Sequence, residues 1–279
     1  MTNTVLYLFN LFLPTLYLGV FLLYLFLFLR PDSEKRIFNF SLAKAGLFTL
    51  IVAHLIYSTL LTHKNGLPPI ASTFQVMSLI ALTLTITYAL IETTSNIQQT
   101  GAFVLGVSLV FQIISSSLLD NQLSPDPALK NVLMQFHIIN ALLGYGAIAI
   151  AGIYSILYLL LLKQIQSNQY GLLFDRLPNL EIMERLSYTS VFFGFIFLTF
   201  AFAGGAWMII QNQEKLSFFS DPKLIGTILV WGFYGAGLLF RKRFRLQGKK
   251  MALLLIFGFL FAFLSMTVLN LFSAKFHGN

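Results

Sequence analysis

Cysteine is absent from the 279 residues. That excludes a disulfide, a thiolate metal site, a cysteine nucleophile and a cofactor attached through CxxCH within this chain. Charge is also scarce. Only 10% of the residues are Asp, Glu, Lys or Arg, against about a quarter in soluble domains. No polar stretch is long enough to bury a core of its own, which excludes a separate soluble domain. A Ser/His/Asp pattern, a phosphate-binding glycine loop and a GxGxxG fingerprint are all missing. Four of the ten acidic side chains, Asp120, Asp126, Glu214 and Asp221, fall in the polar segments between apolar runs. They read as solvated loop charges, without the pairing that acid–base catalysis needs. The strict alternation of membrane β-barrel strands is absent as well.

What is present is apolar: 57% hydrophobic residues, 30 Phe and a mean hydropathy of +0.79. These residues gather in runs of 18 or more. At 1.5 Å per helical residue, such a run crosses a hydrocarbon core about 30 Å thick. In lipid a helix satisfies its own backbone polar groups. The chain therefore reads as all-α, a polytopic membrane helix bundle with about eight transmembrane helices in one integral membrane domain, residues 1–279. The expected spans are 5–29, 37–61, 74–91, 101–119, 132–162, 188–210, 223–240 and 251–272. The first run lacks a basic leader and an A-x-A site, and reads as a retained span.

Basic residues orient the bundle. Of the 18 Lys and Arg, 13 fall on the side holding the loops after spans one, five and seven, and 5 on the other. The positive-inside rule then puts both termini outside. The net charge of +8 is read as this topological signal, with no nucleic-acid partner. The longest connection, 163–187, carries apolar residues Leu180, Ile182, Met183 and Leu186 on one helical face. It reads either as a short amphipathic helix on the inner surface or as a continuation that feeds the sixth span.

On this topology the four histidines lie in the outer half. His54 is seven residues before the outer end of span two, roughly 10 Å deep. His63 is in the following outer loop, His137 is in the first turns of span five, and His277 follows span eight. An intramembrane ionisable residue such as His54 is a functional candidate, or else a helix–helix hydrogen bond. Neutral imidazole is a good axial ligand for haem iron. The outer aromatic residues Phe74, Phe136, Phe218, Phe219 and Phe276 could cover a porphyrin. Zinc is less favoured, because carboxylates and thiols are scarce there.

Several segments resemble the cytochrome c assembly protein family, which groups CcsA- and CcmC-type proteins with shorter HemX-like ones. They are Gly204-Gly-Ala-Trp207, then Phe218-Phe-Ser-Asp-Pro-Lys223, then a span with Trp231 and Tyr234. The family's tryptophan-rich outer loop ends in Trp-Asp-Pro-Lys-Glu. Here Asp221-Pro222-Lys223 stands, with Ser220 and Leu224 in place of the Trp and Glu. His54 precedes a Gly66-Leu-Pro68 turn, His137 precedes Tyr145 by eight residues, and Asn270 and His277 close the core. Residues 177–186 are similar to the segment before the sixth span of the HemX-like branch, which the chain resembles most.

The resemblance implies a haem-handling protein of cytochrome c biogenesis in the cytoplasmic (inner) membrane or an organellar equivalent. It implies an outer, non-covalent haem b with His137 and His277 as axial ligands and Trp207, Phe218, Phe219 and Asp221 shaping the platform. A second, membrane haem would use His54 and a histidine near Leu239, where this chain has none. The implied partners are membrane lipid, haem, a second membrane assembly protein and apocytochrome c, with catalysis not expected from this chain alone. The alternatives are an adaptor that regulates haem biosynthesis through its basic inner loops, or a transporter or structural subunit of a membrane complex.

Overall fold

The computed structural model describes the backbone of residues 2–30, 36–117, 127–212, 222–241, 243 and 245–276. It describes the side chains of 9–30, 40–72, 74–117, 129–208, 225–241, 243 and 245–264. Helices dominate, and no strand occurs among the described residues. They are α1 (Thr2–Leu29), α2 (Arg36–Asn65), α3 (Thr73–Ser95), α4 (Gly101–Ser117), α5 (Val132–Gln166), α6 (Leu172–Arg176), α7 (Leu180–Asn212), α8 (Pro222–Phe240) and α9 (Lys249–Phe276). Each apolar run expected from the sequence coincides with one long helix, apart from residues 118–119, which lie outside the described residues. Among the described residues, five stretches are long and apolar enough to cross a membrane: 9–29, 40–65, 74–95, 132–166 and 180–208. Gly101–Ser117 and Ile225–Phe240 are shorter apolar helices.

Local chemistry sets the helix ends. α2 runs on to Asn65 because nothing breaks it before Gly66, whose φ of 64° is left-handed and suits glycine. His63 therefore sits in the last turn of α2, not in a loop. Phe74 is likewise inside α3, buried, with its carbonyl accepting a hydrogen bond from Ser115 Oγ at 2.7 Å. Phe136 is inside α5. Asn96, in the left-handed region, ends α3 and donates its N–H to Glu92 O, a common C-terminal cap. Asn131 Oδ1 accepts Leu133 N–H at the start of α5, and Asn179 Oδ1 accepts Ile182 N–H at the start of α7, as N-caps do. From Asn179 onward no breaker interrupts α7 as far as Asn212. The amphipathic stretch at 180–186 is thus the first two turns of one long helix, and the separate surface helix is not formed.

The chain divides into two compact units. The first comprises residues 1–135 and 170–178. Here α1 packs on α2 and α4, and α3 packs on α4 and α2. Its interior holds Leu13, Leu47, Leu50, Ile91 and Leu105 together with Tyr17, Tyr24 and Tyr88. Large apolar side chains such as Phe12, Leu22, Phe48, Val52 and Ile56 point outward, as lipid-facing positions do. The second unit comprises residues 136–169 and 179–279. Its core is Ile148, Ala151, Val191, Leu198, Val230, Tyr234, Met251, Leu255 and Ala262, from α5, α7, α8 and α9. Gly144 lets Leu198 of α7 close on α5, and Gly152 does the same for Phe259 of α9, a use of small residues expected between membrane helices.

Candidate functional site

His54 and His63 belong to the first unit and His137 to the second. His277, Phe218, Phe219 and Asp221 lie outside the described residues. Of the three described histidines His63 is exposed, while His54 and His137 are held by hydrogen bonds that differ in kind.

His54 is wholly buried in the first unit. Its Nδ1 is 2.9 Å from the Tyr17 hydroxyl and its Nε2 is 2.9 Å from Ser78 Oγ. Ser78 donates to Gln112 Oε1 at 3.0 Å, and Gln112 Nε2 donates to Ser116 Oγ at 3.2 Å. Ser116 donates in turn to Asn10 O at 3.2 Å. A hydroxyl has one proton to give, so Ser78, donating to Gln112, must accept from His54. That puts the imidazole proton on Nε2 and leaves Nδ1 to accept from Tyr17. The result is a one-directional chain through the unit, Tyr17–His54–Ser78–Gln112–Ser116–Asn10, in which every ring nitrogen is used. In this structure both ring nitrogens of His54 are therefore engaged, by Tyr17 and by Ser78.

His137, half-buried in α5, is arranged the other way. Its Nδ1 lies 2.7 Å from the Ala201 carbonyl of α7. A carbonyl only accepts, so Nδ1 carries a proton, and in the neutral ring Nε2 keeps its lone pair. Nε2 has no hydrogen-bond partner among the described residues. A backbone carbonyl that fixes the tautomer and orients the ring is the usual support for a ligating histidine. The close approach depends on two glycines. A Cβ on Gly205 would stand 3.1 Å from His137 Nδ1, and one on Gly204 would stand 2.9 Å from Phe136 Cδ1. The Gly204-Gly205 pair of the sequence motif thus has a physical role: it is the flat seat on α7 against which Phe136 and His137 lie. These residues fit a haem held from one side by His137.

Beside this seat Trp231 of α8 stacks between Phe195 (5.4 Å between centroids, 20° between planes) and Phe202 (5.9 Å, 14°) of α7. Its Nε1–H donates to Thr199 Oγ1 at 2.9 Å. The stack locks α8 onto the part of α7 that carries Ala201 and the glycines. Trp207, two residues beyond Gly205, is exposed and available to cover a ligand. No group of three or more His, Asp or Glu that could hold a metal ion occurs among the described residues.

Some polar residues of the interior had no place in the sequence reading. Tyr17, Ser78 and Gln112 are three, and Glu92 is another. Glu92 is buried and receives Tyr24 OH at 2.6 Å and Gln98 Nε2 at 2.8 Å on its two carboxylate oxygens. The available signal was their mere presence inside or at the end of apolar runs, where a polar side chain needs a partner.

The sequence profile of the cytochrome C assembly protein family matches residues 8–277. A cytochrome c biogenesis protein CcsA of Prochlorococcus marinus is 27% identical over 255 residues, covering 81% of this chain and 78% of its own. One of the red alga Pyropia yezoensis is 25% identical over 275 residues, covering 84% and 86%. No solved structure matches significantly.

Proposed function

The chain belongs to the cytochrome c assembly protein family, a premise that makes it a multi-pass membrane protein of cytochrome c biogenesis, and from it we propose that the second unit holds one haem b non-covalently. His137 and His277 would hold its iron. Trp207, Phe218, Phe219 and Asp221 frame the haem at the outer face of an eight-span bundle with both termini outside. The membrane is the cytoplasmic membrane or its organellar equivalent. The haem, when bound, supplies a redox-active iron and the vinyl groups that a CxxCH apocytochrome needs for thioether formation.

The observation that carries this reading is His137 Nε2, which has no hydrogen-bond partner among the described residues while Nδ1–H is tied to Ala201. The chain's own contribution is positional. Ala201 fixes the imidazole plane, Gly204 and Gly205 set its depth, and the Phe195–Trp231–Phe202 stack holds α7 and α8 in register beneath it. His54, with both nitrogens engaged, serves as the polar core of the first unit and not as a second haem ligand. A one-haem chain whose loop has Ser220 and Leu224 in place of the family's Trp and Glu is HemX-like in kind. It works with a second membrane assembly protein and presents haem to apocytochrome c.

The test is purification of the full chain in detergent with and without added haem. The expected product has a bis-histidine spectrum at one haem per chain. A protein that stays colourless after loading sinks the proposal, and two haems per chain would return His54 to ligation. Gly205→Val provides a finer check. Its side chain presses on Nδ1, so haem affinity should fall about tenfold or more, roughly 1.4 kcal/mol. The melting temperature of the haem-free protein should change little, because the nearest atoms to a Cβ at Gly205 all belong to the His137 side chain.

A further inference from the structure

The turn between α8 and α9 is built more tightly than a connector requires. Glu184 of α7 holds it at both ends. One carboxylate oxygen pairs with Arg241 Nη2 at 2.8 Å and the other accepts Gly248 N–H at 2.8 Å. The Arg241 guanidinium lies 4.4 Å from the centre of the Tyr188 ring, a cation–π distance. Leu246 N–H donates to Arg241 O at 3.0 Å, and the Leu246 side chain packs against the core of the second unit. Gly248 has a left-handed φ of 60°, and a Cβ there would stand 3.1 Å from Tyr158 OH. Arg245 is also left-handed, at 48°, which a long side chain adopts only when its surroundings impose it.

This frame presents four exposed cations, Arg243, Arg245, Lys249 and Lys250. None has an ion-pair partner among the described residues, and the acid of the turn is already committed to Arg241. Lys249 and Lys250 open α9, where the helix dipole disfavours positive charge. The cluster is therefore electrostatically incomplete as it stands. Directly adjoining it are outward apolar side chains: Leu239 and Phe240 at the end of α8, and Leu253 and Phe257 in the first turns of α9. Cations at the rim of an acyl-facing surface are matched by one chemistry, a phosphate headgroup with its chains alongside.

We propose that the α8–α9 turn is a binding site for an anionic phospholipid headgroup, organised by Glu184. The proposal is independent of haem. The probe is dioleoylphosphatidylglycerol, counted by native mass spectrometry on the full chain released from mixed phosphatidylglycerol–phosphatidylcholine micelles. The wild-type protein should retain phosphatidylglycerol in preference to phosphatidylcholine. The exposed-site variant R243Q/R245Q/K249Q/K250Q should lose that preference about tenfold. Glu184→Gln decides between a built site and bulk charge. It adds one net positive charge and frees Arg241, so bulk attraction would strengthen, whereas an organised site loosens and its selectivity falls. Equal retention of both lipids by the wild type, a quadruple variant that keeps its preference, or a Glu184→Gln protein that binds phosphatidylglycerol more tightly would each overturn the proposal. If Glu184→Gln does not fold, the quadruple variant alone decides, because its four positions are solvent-facing.

Discussion

His137→Ala is expected to abolish haem absorbance in the purified protein, and His54→Ala to leave the absorbance per folded molecule unchanged. The two histidines lie in apolar helices and look alike in sequence, so the opposite outcomes follow only from their hydrogen bonds. His137 gives up one ring nitrogen to Ala201, and the other has no partner among the described residues. Its removal deletes a ligand and a single hydrogen bond, worth about 1 kcal/mol, so the haem-free protein should melt close to the wild type. His54 gives up both nitrogens, to Tyr17 and Ser78. Its removal leaves the buried Tyr17 hydroxyl with a long 3.5 Å contact to Thr85 Oγ1 and breaks the line that runs on to Gln112. Left unsatisfied, a buried hydroxyl costs about 1–3 kcal/mol, although interhelical bonds in membranes average nearer 0.6 kcal/mol because the loosened state finds partners. The cavity left by the imidazole adds to this. A net loss of about 2 kcal/mol and a melting temperature lower by about 5 °C are expected for a chain of this size. Absorbance spectra and thermal unfolding on the same samples separate the two. Haem loss in His54→Ala at unchanged folding would remove the assignment of His54 to structure.

The elements were legible because their cause is local. An apolar run bounded by Gly66, Asn96 or Asn179 can be read without knowing what it packs on. The same holds for the family match, which rests on the order of short segments. Partnerships across the chain were not legible. Tyr17 meets His54 across 37 residues, Ser78 meets Gln112 across 34, and Glu184 meets Arg241 across 57. Each depends on the axial register of two helices, which composition does not encode. The Gly204-Gly205 pair shows the boundary well. The sequence supplied it as part of a motif, and only the distance from a would-be Cβ to His137 explains why glycine stands there. Residues 180–186 stayed open between two readings for a related reason. A charged, apolar-faced segment looks the same whether it lies on a membrane surface or begins a long helix. The cap at Asn179 and the pairing of Glu184 with Arg241 favour the second.

Gly101→Val is expected to be the most damaging single change in the first unit, and Gly19→Ala a neutral one. Both glycines lie in apolar helices, and propensity alone would favour replacing either, by up to about 1 kcal/mol with alanine. The surroundings reverse that for Gly101. Any Cβ there collides with the ring of Tyr24 and the hydroxyl of Tyr88, which are fully buried and set edge-to-face at 5.7 Å. Overpacking a site of this kind costs about 1–3 kcal/mol by itself. The larger penalty is indirect. Tyr24 is one of two donors on the buried Glu92 carboxylate, and moving it leaves a poorly solvated charge, a loss that exceeds that of a neutral group. Together these reach about 4 kcal/mol, a large part of the 5–15 kcal/mol that holds a typical domain folded. At Gly19 a Cβ meets nothing within 4 Å, so alanine should preserve the melting temperature. Purified yield and thermal unfolding of the two variants give the comparison. A Gly101→Val protein that accumulates and melts within about 3 °C of the wild type would show that Tyr24 can leave Glu92 at little expense, and that the buried acid is held by Gln98 alone.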